Sequence, residues 1–462
     1  MKKVFILLPD GVGLRNFIYT DFLKHKSDSK TVIWTNLNGL DLINIDIVKL
    51  PWYKNSVIAE AKRRALTKAE LTYSAKNFSN KSFLDYIKPE KITTIKGKIK
   101  SILRDYYFKD AALSINNVKR LRKSFIQSVR KSEYFSKCVK TLELEQPDMV
   151  FCVNQRNIEA VAPILAAQEI GIPTATFIFS WDNLPKGILA VEADFYFVWS
   201  EYMSLELKRY YPWIIDEQIK IVGTPQFIPY NDVSLLESKE NFFDRYGLNI
   251  NAKTVCFSGD DKTTSPNDQE YLRDLAETVS ELNNEGGQQY QIVFRRCPVD
   301  ISDRYKVVLQ EYKDCIHVLD PMWSSPEDET AWKQIVPLKE DSALLSNTVK
   351  HSDVVINVGS TMALDFAMNE RTACYINYNV KSNKVWDIYK IYKYIHFKTM
   401  DGLDPVYWID SKEEMKKVLL EAISDKGNKI KDAQCWAKKI ALHPTADANK
   451  RIWNNINMIM DK

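Results

Sequence analysis

Short apolar runs recur along this chain, each closed by small or polar residues and followed by a stretch of helical period. The first unit reads strand KVFILL, loop PDGVG, helix LRNFIYTDFLKHK and strand KTVIWTN. Consecutive strands separated by a helix must run parallel, since a parallel pair needs a long crossover. The rhythm returns with DMVFCVN, GIPTATFIF, FYFVWS and QIKIVGT, and again with KTVCFSG, QYQIVFRRCP, CIHVLD, DVVINV and RTACYIN. With 462 residues, one core is not expected to hold all of these strands. The expectation is an α/β chain of two Rossmann-like doubly wound domains facing a cleft. The first spans 1–230 and the second 231–430. A charged helical tail, 431–462, anchored by Trp436 and Trp453, is expected to cross back to the first.

One segment interrupts the rhythm. Between Tyr53 and Lys140 stand 22 Lys+Arg against 7 Asp+Glu, a local +15 that leaves −11 for the rest of a chain of net charge +4. It reads as a mostly helical basic insertion, about 53–140, broken at IKPEKITTIKGK. A block of that charge is either a solvated face or a surface for an anionic membrane or glycan. No nucleic-acid motif accompanies it, and the acidic remainder argues against such a partner.

The seven cysteines form no CxxC pair, and none of the five histidines share a helical face at i, i+4. Reduced thiols and no metal centre are expected. The first apolar run stops after five residues at Pro9, Asp10 and Gly11, too short for a secretory signal, and no run approaches the ~18 residues of a spanning helix. The expected location is cytoplasmic, with peripheral contact at the inner membrane face through the basic insertion.

Ligands of open parallel sheets bind beyond the carboxyl ends of the strands, so the candidates are the residues that follow strands. After the first strand come Asp10, Gly11, Arg15 and Asn16; Asp10 is either a turn residue or a base. After PTATFIF come Trp181, Asp182 and Asn183, turn formers or acceptor contacts. Ser258 and Gly259 follow KTVCFSG. Arg295 and Arg296 end the next strand; one suits a forked contact to a diphosphate, the other an ion pair with Asp300 or Asp341. Gly359, Ser360 and Thr361 stand between DVVINV and a helix, where N–H groups and the helix dipole favour an anion; the alternative is a plain helix cap. Asp365, one turn on, is placed to reach a ribose.

FRRCPVDISDRY, followed by LKEDSALLSNTVKHSDVVINVGSTMALDFAMNERTACYINY, resembles the nucleotide-binding half of GT-B glycosyltransferases, in the bacterial surface-polysaccharide group related in pattern to CDP-glycerol glycerophosphotransferases. DGVGLRNF, SWDNLPKG and IKIVGTPQF are similar to stretches of polysaccharide-assembly proteins. The resemblance implies metal-independent transfer of a sugar from a nucleotide-sugar donor, which is substrate rather than cofactor, to a surface glycan or lipid-linked acceptor. Asp10, or else Asp182, would be the catalytic base. Ser258, Gly259, Arg295, Arg296, Gly359, Ser360, Thr361 and Asp365 would hold the donor; Gly11, Arg15, Asn16, Trp181 and Asn183 would hold the acceptor. Two departures stand out: no Glu-x7-Glu pair is present, and Cys297 occupies the position of a histidine in the glycerophosphotransferase pattern. The rival readings are a CDP-glycerol-type glycerophosphotransferase, a sugar-nucleotide epimerase and a non-catalytic glycan-assembly subunit.

Overall fold

A computed structural model describes residues 1–37, 40, 45–53, 56–87, 94–187, 189–324, 336–381, 386–425 and 427–461. Part of the expected break in the basic segment, residues 88–93, lies outside them. The chain divides into two compact units. Unit 1 comprises residues 1–224, 394–396 and 447–462; unit 2 comprises 225–393 and 397–446. The division falls at Thr224, six residues before the expected boundary, and the tail divides too: 431–446 belongs to unit 2 and only 447–462 to unit 1.

Unit 1 is built on β1 (Lys3–Leu7), β2 (Lys30–Thr35), β3 (Asp46–Lys49), β4 (Met149–Cys152), β5 (Thr174–Phe177), β6 (Phe195–Val198) and β7 (Ile219–Ile221). They form one parallel sheet in the order β3-β2-β1-β4-β5-β6-β7. β1 is buried along most of its length, as a central parallel strand covered on both faces must be. Its chain neighbour in the order, β4, arrives only after four helices: α1 (Val57–Asn77), α2 (Ile95–Phe108), α3 (Ile115–Arg130) and α4 (Glu133–Glu145). Each starts at a hydroxyl side chain that accepts from an N–H in the first turn: Ser56 from Ala59, Thr94 from Gly97, Ser114 from Asn117 and Ser132 from Phe135.

These helices carry the basic segment, and three of them are part of the core. Leu66 and Ala69 of α1, Leu121 and Phe125 of α3, and Phe135 and Leu142 of α4 pack in one cluster with Phe5, Leu7 and Trp34 of the sheet. The charge sits on the outer faces; Arg122, 3% exposed, is the exception. It pairs with the carboxylate of Glu70 on α1 and donates to the carbonyl of Leu189 at 2.8 Å. α2 buries no residue at all. Two further helices, α5 (Val161–Glu169) and α6 (Glu201–Tyr210), follow β4 and β6. The closing helix, Ala448–Met460, returns to unit 1 and seats Trp453 against Phe22, with ring centroids 5.1 Å apart.

Unit 2 contains β8 (Lys253–Ser258), β9 (Tyr290–Arg295), β10 (Ile316–Val318), a small antiparallel ribbon of β11 (Trp323–Ser324) and β12 (Val336–Pro337), then β13 (Val354–Asn357), β14 (Thr372–Ile376) and β15 (Tyr407–Ile409). Its main sheet is parallel in the order β10-β9-β8-β13-β14-β15. The connecting helices include α7 (Lys239–Tyr246), α8 (Asp268–Asn284), α9 (Lys306–Glu311), α10 (Glu340–His351), α11 (Met362–Met368), α12 (Ile388–Ile391), α13 (Lys412–Ile423) and α14 (Asn428–Ile440). Trp436 of α14 is buried and donates to the hydroxyl of Thr399 at 2.9 Å.

Both sheets wind outward from their first strand, β1 or β8, one way and then, from β4 or β13, the other. The order reverses between β1 and β4 and between β8 and β13. Those are the switch points, where the loops after the strands splay apart and leave room for a ligand. Among the described residues no helix is long and apolar enough to cross a membrane.

Candidate functional site

In unit 2 the residues after β8, β9 and β13 converge on the switch point. Gly259 follows β8 and donates its N–H to the carbonyl of Arg295 at 2.9 Å. A Cβ here would lie 3.0 Å from the Tyr305 hydroxyl and 3.4 Å from the Arg296 backbone, so the strand end admits only glycine without displacement. Asp260 comes next. Its carboxylate accepts from the N–H of Val358, at the end of β13, at 3.3 Å, and its own N–H donates to Asp268 at 3.1 Å. Asp268 starts α8, is fully buried, and also accepts from the Tyr305 hydroxyl at 2.7 Å. Arg304 lies alongside, paired with Asp300 at 2.6 Å and donating to the carbonyls of Ser265 and Asp260.

This cluster holds more carboxyls than cations. Burial, reinforced by Asp268 and Asp261, pushes the Asp260 carboxyl well above the ordinary carboxylate range, and burial raises Asp268 to about 6. The Asp268 charge opposes ionisation of Asp260, so the two buried carboxyls titrate as a coupled pair. Asp261 differs: although burial opposes it, the hydroxyls and N–H groups of Thr263 and Thr264 hold its carboxylate low.

The two arginines expected at a diphosphate part company. Arg295 is 5% exposed, and its Nη2 donates to both carboxylate oxygens of Asp341, at 2.7 and 2.9 Å, while its buried Nη1 has no hydrogen-bond partner. Asp341 also accepts from the N–H of Met322 and the indole of Trp323. Arg295 thus joins β9 to α10 and the ribbon through Asp341, the role open to one of the two arginines. Arg296 reaches outward and pairs with Asp320 at 2.7 Å while about a quarter of its side chain stays exposed. Cys297 is half-buried, and desolvation pushes its thiol up to about 12.

Gly359 sits at φ +68°, where a side chain is strained, and a Cβ would lie 3.0 Å from Phe397 and 3.2 Å from Ile391. Packing as well as backbone shape thus requires glycine here. Ser360 donates its N–H to Asn357 at 2.8 Å, and its hydroxyl accepts from Met362 at a long 3.4 Å. Thr361 precedes α11, whose seven residues make a short dipole. Asp365, expected at a ribose, is 5% exposed and accepts from the Tyr230 hydroxyl at 2.7 Å. It faces inward from α11, so its position is a packing one. Ser258 is likewise buried, opposite Arg295 in the β8–β9 register.

In unit 1 the loop after β1 meets the loop after β4. Asp10 accepts from the amide of Asn154 at 2.5 Å, while its other oxygen is shielded and has no hydrogen-bond partner. Asn157 donates to the carbonyl of Pro9 at 3.1 Å. The chain then turns through Gly11 into a single wide turn, Leu14–Ile18, which holds Arg15 and the buried Asn16; such turns concentrate at functional sites. Gly13 is the critical small residue: a Cβ would fall 2.4 Å from Leu8 and 2.8 Å from Val153, at the ends of the two strands.

The other unit 1 loop, after β5, is tied down internally. Trp181 is 5% exposed and meets the His396 ring edge-on at 4.8 Å. Its indole face is packed rather than presented to a sugar. Asn183 accepts from Gln155 at 3.0 Å and donates to Asp182 at 2.8 Å. Burial opposes ionisation of Asp182, yet the Lys186 ammonium one turn on holds its carboxyl well below the ordinary range. His396 bonds the Tyr86 hydroxyl at 3.0 Å, and burial drives its imidazole down to about 3, so it is neutral near pH 7. Nearby Glu206, 6% exposed with one oxygen unpartnered, is raised to about 8, chiefly by burial.

Asn154, Gln155, Asp268, Glu206 and His396 were not anticipated as site residues. Asn154 and Gln155 follow a strand, as Asp260 does, and the rule that singled out Asp10 applies to them equally. His396 carries no local signal, because its partners Trp181 and Tyr86 lie hundreds of residues away.

No protein-family model and no curated protein matches the chain. Solved structures do. MnaA of S. aureus, in complex with UDP, superposes with a TM-score of 0.52 at 13% identity, over 100% of this chain and 97% of that one. The UDP-GlcNAc 2-epimerase of Methanocaldococcus jannaschii superposes with a TM-score of 0.52 at 13% identity, over 99% of this chain and 100% of that one. At such identities the likeness is one of fold: two parallel-sheet α/β domains of the GT-B type.

Proposed function

We propose that the chain is a metal-independent glycosyltransferase that moves a sugar from a nucleoside-diphosphate sugar to a glycan or lipid-linked acceptor. The observation that carries this reading is Asp10. It stands at the switch point of unit 1, one oxygen held by Asn154 and the other shielded without a partner. A carboxylate so placed is oriented, partly desolvated and short of one hydrogen bond, which is what a base needs to take a proton from an acceptor hydroxyl. Asp182, the other candidate, has its charge answered by Lys186, so it is better suited to hold its loop than to take up a proton.

Unit 2 supplies the nucleotide half of this reading. The glycosidic C–O bond breaks toward the diphosphate, which leaves carrying the charge. Arg296, at the edge of the strand-end cluster, is the group that would meet that charge, together with the Gly359 end of the turn; the Ser360 N–H is already given to Asn357. Arg295 and Asp365 already have partners in Asp341 and Tyr230, which favours Arg296 as the main contact to the diphosphate in this reading.

A second reading, sugar-nucleotide epimerisation, is favoured by the superposition along the whole chain on a UDP-GlcNAc 2-epimerase. The two readings separate in one assay. Nucleoside-sugar donors, UDP-GlcNAc among them, are incubated with and without an acceptor, and both the released nucleotide and the sugar product are followed. Nucleotide release that requires the acceptor supports transfer. Conversion of the sugar at C2 with no acceptor present replaces transfer with epimerisation. Within the transfer reading, Asp10→Asn is expected to lower turnover by roughly 10²–10⁴-fold, the usual worth of a general base, while nucleotide still binds. Full turnover in that variant would remove Asp10 from the chemistry.

A further inference from the structure

α2 is arranged the wrong way round for a helix of a soluble core. It buries no residue, yet Ile95, Ile99, Ile102 and Tyr106 are 80%, 49%, 69% and 73% exposed. Their spacing of four, three and four residues places them within about 60° of one another on a 3.6-residue helix, so they form one continuous apolar stripe along the outer face. The inner face is held to α1 by other means. The Lys68 ammonium lies 4.2 Å from the Phe108 ring, the Lys62 ammonium 5.3 Å from the Tyr107 ring, and Lys68 pairs with Asp105 at 3.4 Å.

The stripe is bordered by cations. Lys96 lies on one side, Lys98 and Lys109 on the other, and Lys100 and Arg104 complete five basic residues against the single Asp105. Apolar side chains in line with long basic ones on their flanks match the boundary of an anionic bilayer, where the stripe enters the acyl region and the ammonium groups reach the phosphates. A second copy of the same helix is a poorer match, because two strongly cationic surfaces would repel.

We infer that α2 is an in-plane membrane-docking helix, and that its occupant is the surface of a bilayer rich in anionic phospholipid. The inference does not depend on the chemistry proposed above, and holds equally for an epimerase.

The test is co-sedimentation of the full chain with phosphatidylcholine vesicles lacking or containing roughly 30% phosphatidylglycerol, at low and high salt. Binding is expected only to the anionic vesicles and is expected to weaken with salt. Ile99→Ser with Ile102→Ser leaves the charge unchanged and is expected to reduce partitioning about tenfold or more. Lys96→Gln with Lys98→Gln, away from any buried contact, is expected to do the same through charge. Absence of binding by the unaltered chain overturns the inference, as does full binding by the double-serine protein. Sedimentation velocity in the absence of lipid covers the remaining occupant: self-association abolished by the serine substitutions would make the stripe a protein interface and overturn the bilayer.

Discussion

Arg295 and Arg296 are adjacent and chemically identical, yet they answer to different forces. Arg295 is nearly dry and its charge is neutralised by Asp341. Removing one partner of such a pair leaves an uncompensated buried charge, at a cost of about 3–5 kcal/mol. Arg296→Met removes a partly exposed pair worth about 1 kcal/mol. Arg295→Met is therefore expected to lower the thermal midpoint sharply. Arg296→Met should melt almost like the parent protein but bind nucleoside diphosphate more weakly, as melting curves and a nucleotide titration on both variants would show. A nucleotide affinity untouched by Arg296→Met would remove it from the donor site. No sequence signal separated the two, because the deciding residue, Asp341, lies 46 positions further on. Glu206 gives a second residue-scale test. Its folded pKa, about 8, exceeds the ordinary 4.5 because burial favours the neutral acid. Below 4.5 both states are protonated and nothing is lost. Between 4.5 and 8 the unfolded chain releases the proton and the folded one keeps it, so stability falls as pH rises through that window. Glu206→Gln cannot ionise and should flatten that loss by a few kcal/mol, measured as urea midpoints from pH 5 to 8.5. An unchanged slope would mean that the carboxyl is solvated.

At the scale of elements, legibility followed burial. β1, β4, β8 and β13 are covered on both faces, so their runs are continuously apolar, and the strand ends that carry the site could be placed from them. β3 and β15 were not anticipated. β3 is an edge strand of four residues, none fully buried, and β15 is an edge strand of three with a single buried residue, so neither shows a full apolar face. The basic segment was legible as helical but not as core. Its lysines and arginines dominate the composition, whereas the residues that pack are scattered alanines, leucines, valines and aromatics of α1, α3 and α4. The Gly359–Thr361 turn shows the same limit within one element. Its glycine could be read as room for a phosphate, but the demand on it comes equally from Phe397 and Ile391, which the chain supplies more than 30 residues later.

At the scale of the molecule, unit 1 is assembled from three separated stretches of chain, and its last piece is the closing helix. Ile452, Trp453 and Ile456 are fully buried there, and Asn449 donates to Thr20 and Asp21 at 2.9 and 2.7 Å. Arg451 donates to the carbonyl of Val222, and Lys2 to that of Met460. The helix therefore ties the start of the unit, its last strand and its own end together, and each contact spans more than 200 residues of sequence. Trp453→Ala removes a fully buried indole, a change that costs about 3–5 kcal/mol where the cavity cannot collapse. None of those contacts involves unit 2, whose core is closed separately by Trp436 and its partner Thr399. The substitution should therefore lower the denaturant concentration at which protease sites within residues 1–224 become cleavable, and leave those within 225–446 where they were. Mass spectrometry of the fragments across a urea series reads both at once. If the two sets shift together, the units unfold as one, and the cooperative boundary at Thr224 is not there.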